Sequence, residues 1–320
     1  MHCIVILNEK AGTAAKASPD SVRAACAEVG VTADVAALPA ERIGRALRDA
    51  VAARPDAVVI GGGDGTVRGA AAALADTGLT LAVLPLGTLN HFAKDLKIPA
   101  DLKKAVAVLA GGVTREVDVG EVNGHVFINN CSLGAYAEAV RRREALRAAH
   151  PQGKWWAMFR ASLATWRHLR RLRLRFALGG GAPRAVRTPV VFVGNNRYSG
   201  HLFDESLRPQ LDEGRLWVYT VRAHRHFALL RLLLRSLVGR LDQADALATE
   251  SAAEFLIEND GGFVPVAADG EVLEVKCPLR FRSRPRALRV LVPHEQKPED
   301  REQRIEIRDQ AAGKGGEGKR

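Results

Sequence analysis

The chain lacks most of the features that mark a secreted, membrane-spanning or metal-built protein. Its four cysteines, Cys3, Cys26, Cys131 and Cys277, are scattered, with no C-x-x-C pair. That spacing offers neither a disulfide framework nor a zinc site, and reads as reduced, buried thiols in cytosol. No run of about 18 apolar residues is free of charge, so no helix is expected to cross a membrane. Met1–Leu7 is too short for a secretory signal and runs straight into a strand–helix pattern. The nine histidines show no metal spacing; His224 and His226 stand two apart, which a strand would align, in a stretch that reads as helix. No internal repeat is present. At 47% hydrophobic the 320 residues are not a disordered chain, and they suffice for two domains with cores of their own.

Acid is scarce in one place. Residues 141–175 hold eleven Arg or Lys against Glu144 alone, so this stretch carries +10 of the net +11. Trp155, Trp156, Phe159, Leu163 and Trp166 are interleaved near helical spacing. Aromatic and aliphatic residues on one face with arginine on the other describe an interfacial helix on anionic lipid. A core helix with solvated arginines and a single-stranded nucleic-acid surface are the alternatives. No nucleic-acid module signature accompanies the stretch, so nucleic acid is not an expected partner. Arg222–Arg240 is a second basic, Leu-rich amphipathic stretch.

What is present most plainly is Ala57–Thr66, Ala-Val-Val-Ile-Gly-Gly-Gly-Asp-Gly-Thr. Ala57–Ile60 reads as a buried parallel strand. Gly61, Gly62, Gly63, Asp64, Gly65 and Thr66 form the turn, and an alanine-rich helix former follows. Strand, glycine turn and helix together present main-chain amides at a helix N-terminus, where phosphate binds. A carboxylate there, that of Asp64, repels phosphate unless a cation or a hydroxyl lies between, so the turn reads as built for a metal–nucleotide complex rather than a bare anion. The turn is neither G-x-x-x-x-G-K-[ST] nor G-x-G-x-x-G, since Thr66 stands where the third glycine belongs. A second strand, Leu81–Leu86, ends in Gly87-Thr88-Leu89-Asn90-His91-Phe92-Ala93-Lys94-Asp95-Leu96, and a first, Cys3–Leu7, in Asn8-Glu9-Lys10-Ala11-Gly12. Such turns lie side by side at the C-terminal edge of a parallel sheet, where open α/β sheets bind ligands.

These three segments resemble the catalytic domain of the diacylglycerol kinase family, which includes sphingosine kinases and bacterial soluble lipid kinases. The family pattern is N-P-x-x-G, then G-G-D-G-T, then P-x-G-T-x-N-D-F-A-R-x-L. This chain supplies Asn8 and Gly12, then Gly62–Thr66, then Pro85, Gly87, Thr88, Asn90, Phe92, Ala93 and Leu96. It departs at Glu9 for proline, Lys94 for arginine and His91 for aspartate. The resemblance extends loosely to about residue 293. It implies an ATP-dependent, Mg²⁺-using lipid kinase, cytoplasmic and peripheral to the membrane, phosphorylating a diacylglycerol-like or sphingoid hydroxyl. Asn8, Gly12, Gly61–Thr66, Gly87, Thr88 and Asn90 would hold the nucleotide, and Asp64 would help place the metal. NAD kinases share the G-G-D-G turn without the Gly87–Leu96 block, and are the rival within enzymes. A basic binding protein that keeps a nucleotide pocket without turnover is the rival outside them.

Residues 1–120 alternate strand and helix, the grammar of an α/β domain with a parallel sheet of the NAD-kinase and diacylglycerol-kinase type. Residues 121–287 read as a mostly antiparallel β domain with helical insertions, its hairpins marked by Asn123-Gly124 and Gly179–Gly181. Within 288–294, Leu288–Val292 is a late strand that returns to the first domain, as the family's does. Residues 295–320, with seven basic and seven acidic groups, read as a disordered tail.

Phosphoryl transfer to an alcohol also needs a group to take the hydroxyl proton. Asp269-Gly270-Glu271 resembles the family's D-G-E motif, in which an acid is the general base; either Asp269 or Glu271 can fill the role. Leu211-Asp212-Glu213-Gly214 resembles the family's L-D-D-G segment, which holds a structural Mg²⁺ in some members. Glu213 stands for the ligating aspartate, one methylene longer. Asn129–Gly134 and Val193–Asn196 resemble family turns near the cleft, where they can serve as a polar lining or as turns alone.

Overall fold

A computed structural model describes residues 1–11, 17–134, 172–198, 208–221, 247–259 and 264–294. Gly12, nearly all of the basic Trp-bearing stretch, Arg222–Arg240 and the tail fall outside the described residues. The first lobe alternates as the pattern predicts: β1 (His2–Asn8), α1 (Pro19–Glu28), β2 (Thr32–Leu38), α2 (Ala40–Ala53), β3 (Ala57–Gly62), α3 (Asp64–Leu74), β4 (Thr80–Pro85), α4 (His91–Asp95) and α5 (Leu102–Gly111). Local chemistry sets the helix ends. Ser18 caps α1 by accepting from the Ser21 amide, and Asp101 caps α5 by accepting from Lys104. In α2, Ile43, Leu47 and Ala50 form the buried stripe, and Arg54 in the left-handed region stops the helix.

The second lobe is built from β5 (Val113–Val122), β6 (His125–Phe127), β7 (Asn130–Gly134), β8 (Leu172–Leu178), β9 (Arg184–Thr188), β10 (Val190–Asn195), β11 (Leu216–Val221), β12 (Leu247–Ala252), β13 (Glu254–Asn259), β14 (Val266–Ala268), β15 (Glu271–Leu273) and β16 (Leu279–Val292). Among the described residues the strands form two sheets. One runs β2-β1-β3-β4-β16-β13-β8-β9, with β5 on β16 and β6 on β5. The other runs β12-β11-β10-β7-β14-β15. β2, β1, β3 and β4 are parallel, and the whole second sheet is antiparallel.

Two expectations are corrected here. The late strand begins at Leu279 rather than Leu288. Pro285 reads as a breaker, but the chain passes it through a register shift between Arg284 and Leu288, with Arg286 at φ 52°. Arg173 and Arg175, the last charges of the basic stretch, lie on β8, as the strict alternation of Leu172–Phe176 predicts for a half-buried strand. Asn130–Gly134 is a strand, not a turn, and Ser132 on it is fully buried.

β16 joins the two lobes. Its Val290 pairs in parallel with Leu81 of β4, while Phe281 pairs antiparallel with Phe255 of β13. Phe255 and Phe281 stack at 4.7 Å between ring centroids, and Phe127 meets Phe281 edge-on at 6.5 Å. Leu288 and Val290 belong to the core under the parallel strands, and Phe281 to the core of the second lobe. Each such side chain, fully buried, contributes about 1.5–3 kcal/mol, so one strand anchors both cores.

Candidate active site

β3 is buried along its length and delivers Gly61–Gly62 to the sheet edge. Gly63 then caps α3 in an extended conformation, and Asp64 is the first helical residue. The first-turn amides of α3 have no acceptor within the helix and point past its end. Glycine is required where two loops touch: a methyl on Gly87 would overlap Gly63 Cα.

Side chains staple the three segments together. Asn8 Nδ2 donates to Thr66 Oγ1 at 2.9 Å. Asn90, in the left-handed region at φ 52°, accepts from the Gly87 amide at 2.9 Å and donates to the Gly87 carbonyl at 2.9 Å. The Asn90 amide in turn donates to Asp64 Oδ2 at 3.1 Å. Asn90 therefore shapes the second loop with its side chain and ties it to the first with its backbone. His91 is exposed at the start of α4.

These segments border a cleft of about 800 Å³ between α2 and α3. Ala40, Ile43, Leu47, Ala72 and Ala73 make one apolar wall. Asn8, Gly63–Thr66, Gly87 and Thr88 line the sheet edge, with Lys10, Arg48 and Arg68 supplying positive charge. Glu271 is the lining residue from the second lobe.

The Asp269–Gly270 pair turns the β14–β15 hairpin, at φ 48° and 80°. Asp269 Oδ1 accepts from the Asn129 and Asn130 amides at 2.8 and 3.0 Å, and Oδ2 from Ile128 at 2.8 Å. Its own amide donates to the Asn130 carbonyl at 2.8 Å. Burial pushes the Asp269 carboxyl above the usual carboxylate range, against the three amides and the charge of Arg68, which favour the anion. Glu271, two residues on, is ion-paired with Arg68 of α3. The acid hairpin thus meets the glycine corner across the cleft.

The model of the "Diacylglycerol kinase catalytic domain" matches residues 2–122, and that of the "YegS C-terminal NAD kinase beta sandwich-like domain" matches residues 129–292. A protein named diacylglycerol kinase from Mycobacterium tuberculosis is 31% identical over 257 residues, covering 77% of this chain and 80% of the relative. The chain belongs to the diacylglycerol kinase family. A second member, named diacylglycerol kinase from Bacillus subtilis, is 41% identical over 96 residues, 29% of this chain and 32% of its own. The fold is shared with the crystal structure of a diacylglycerol kinase from Bacillus anthracis, at TM-score 0.65 and 16% identity, over 93% of this chain and 97% of that one.

Kinases of this family are expected to use magnesium, and Asp64 and Glu213 are the two expected ligands. A small hard cation takes one or two carboxylates plus substrate phosphate oxygens. Asp64 fits that role, since only Oδ2 is engaged by a protein amide among the described residues. Glu213 Oε2 accepts from Trp217 Nε1 at 2.7 Å, which engages one of its two oxygens. Neighbouring Asp212 pairs with Arg115, and Asp118 accepts from the Gly214 and Arg286 amides. Among the described residues no cluster of three His, Cys, Asp or Glu suits a metal.

Two features around this cleft escaped the sequence reading. The α2 wall was signalled only by small residues, Ala40 and Gly44 opposite Gly69, Ala72 and Ala73, which leave room between two helices. Arg208 carried no signal. Its side chain is fully buried and bonded to Asp95 of α4, to the Ile128 and Asn195 carbonyls at 2.7 Å each, and to Asn129 Oδ1 at 3.0 Å. It ties the Gly87–Leu96 block to the residues whose amides hold Asp269. Asn195, one of the turn residues read near the cleft, bridges the Asp118 and Ile128 carbonyls in the interior.

Proposed function

We propose that the protein is an ATP-dependent lipid kinase that passes the γ-phosphate to a primary hydroxyl of a diacylglycerol-like or sphingoid lipid. The observation that supports it is the meeting of the Gly63–Thr66 corner with the Asp269–Glu271 hairpin across one cleft. The nucleotide base takes the α2–α3 wall, and the phosphates take the amides of the corner and the charge of Lys10 and Arg48. Magnesium, when bound, neutralises developing phosphate charge, and Asp64 with the phosphates would hold it. Asp269 accepts the hydroxyl proton. It is held rigidly by three amides, burial raises its affinity for a proton, and among the described residues one lone pair of Oδ2 is uncommitted. Apolar residues of the second lobe receive the acyl chains. The basic Trp-bearing stretch, mostly outside the described residues, docks the enzyme on anionic membrane from the cytoplasmic side.

Purified protein given radiolabelled Mg-ATP and mixed micelles of diacylglycerol or sphingosine should label the lipid. Label on NAD with none on lipid would reverse the assignment, and no label on either would leave a non-catalytic nucleotide pocket.

A further inference from the structure

Two of the amides that hold Asp269 belong to peptide groups whose carbonyls are themselves bonded. The Ile128 carbonyl shares a peptide with the Asn129 amide, and accepts from Arg208 Nη1 at 2.7 Å and Asn195 Nδ2 at 3.1 Å. The Asn129 carbonyl shares a peptide with the Asn130 amide, and accepts from the Tyr198 hydroxyl at 3.2 Å and the Asn195 amide at 3.0 Å. Arg208 also donates to Asn129 Oδ1 at 3.0 Å, and its guanidinium lies over the Tyr198 ring at 5.7 Å. A peptide that accepts at its oxygen donates more strongly at its nitrogen, so bonds in a chain reinforce one another. Here the chain runs from guanidinium through peptide to carboxylate. Its far end is Asp95 of α4, which accepts from Arg208 Nε at 2.8 Å and Nη2 at 2.6 Å. The Arg208 side chain is fully buried, so its charge is little screened.

We propose that Arg208 is a positioning residue for the general base: it fixes the Ile128–Asn130 segment and polarises the amides that face Asp269, while Asp95 sets how much of its charge is felt there. This role deepens the kinase reading above, on which its consequence for catalysis rests. Asp95 comes from the first lobe and Arg208 from the second, so the loop after β4 and the acid hairpin form one electrostatic unit. Arg68 of α3, Cys131 of β7 and Tyr198 also act on Asp269. Burial keeps the Cys131 thiol neutral and pushes the Tyr198 phenol up to about 12, so Tyr198 remains a donor. Glu271 is paired with Arg68, and Asp64 stands across the cleft.

Carbon-13 NMR titration of the full chain, labelled at its aspartate carboxyls, tests this beside the acidic limb of kcat/KM. The Asp269 signal is the one lost in Asp269→Asn. Arg208→Gln removes the charge and should move the Asp269 titration up by about one pH unit. Arg208→Lys, which keeps the charge without the fork, should fall between wild type and Arg208→Gln. Asp95→Asn leaves the guanidinium uncompensated and should move the titration down by about half a unit or more. Tyr198→Phe, the mildest change and the one to use should the others not fold, should move it up by roughly a few tenths. A role in packing alone loosens the grip on Asp269 in every variant and moves all of them up. An upward shift in Asp95→Asn, or none in Arg208→Gln or in Tyr198→Phe, therefore overturns the inference. A kcat/KM limb that stays still while the carboxyl titration moves supports the inference and removes Asp269 as the base.

Discussion

The two lobes carry their chemistry by different means. In the first, the cleft edge is main chain in short contiguous runs, and the side chains Asn8, Thr66 and Asn90 staple those runs together. In the second, the chemistry rests on side chains held by distant segments: Asp269 by Ile128–Asn130, and Arg208 by Asp95. A backbone site needs small residues and a strand-to-helix turn. A side-chain site needs the whole fold to bring its holders together.

That contrast can be broken at several points, taken from the largest expected effect to the smallest. Asp269→Asn should lower kcat about 10²- to 10⁴-fold, the usual worth of a general base, with Mg-ADP uptake by calorimetry retained. Loss of ADP uptake together with turnover would place Asp269 in nucleotide binding instead. Arg208→Ala removes a fully buried charge partner and should cost about 3–5 kcal/mol in a denaturant titration. A change within error would mean that the two lobes are not tied through this pair. Gly87→Ala drives a methyl into Gly63 Cα and should cost about 1–3 kcal/mol of overpacking, with ATP affinity falling alongside; unchanged affinity would separate the second loop from the nucleotide.

The acid–base behaviour of Asp269 gives a finer test. Its carboxyl is raised in the folded protein, so the folded state holds this proton more tightly than the unfolded chain. The stabilisation is therefore full below the unfolded carboxylate pKa and is lost as pH rises through the folded one. Activity runs the opposite way: kcat/KM should fall as pH drops through that same raised value, because the base must be unprotonated. A wild-type acidic limb at the ordinary aspartate position would contradict the assignment. The smallest effect concerns the membrane: sedimentation with anionic vesicles should fall with salt, and salt-independent binding would argue for apolar insertion.

The same contrast explains what the sequence made legible. The strand–turn–helix grammar of the first lobe is local, so β3, α3 and the Asp64 corner lie close to where their residues place them. The strand at Leu279–Leu288 was hidden because Pro285 and a bulge interrupt its pattern. Leu247–Ala252, with Thr249 and Glu250 in mid-strand, has no clean alternation and becomes β12 only by pairing with β11. Arg208 was invisible for the same physical reason. A buried guanidinium is stable only where distant carbonyls and Asp95 converge on it, and no short window of sequence contains them. Glu271 was legible as an acid of the hairpin, but its contact with Arg68 spans the two lobes.

The central claim is that the Asp64 corner and the Asp269 hairpin together move a phosphoryl group from ATP to a lipid hydroxyl. Incorporation of label from Mg-ATP into extractable lipid, wild type beside Asp269→Asn with ADP uptake verified in both, tests it most directly. The account predicts labelled lipid from the wild type and almost none from the variant; equal labelling by the two, or none by the wild type, would contradict it.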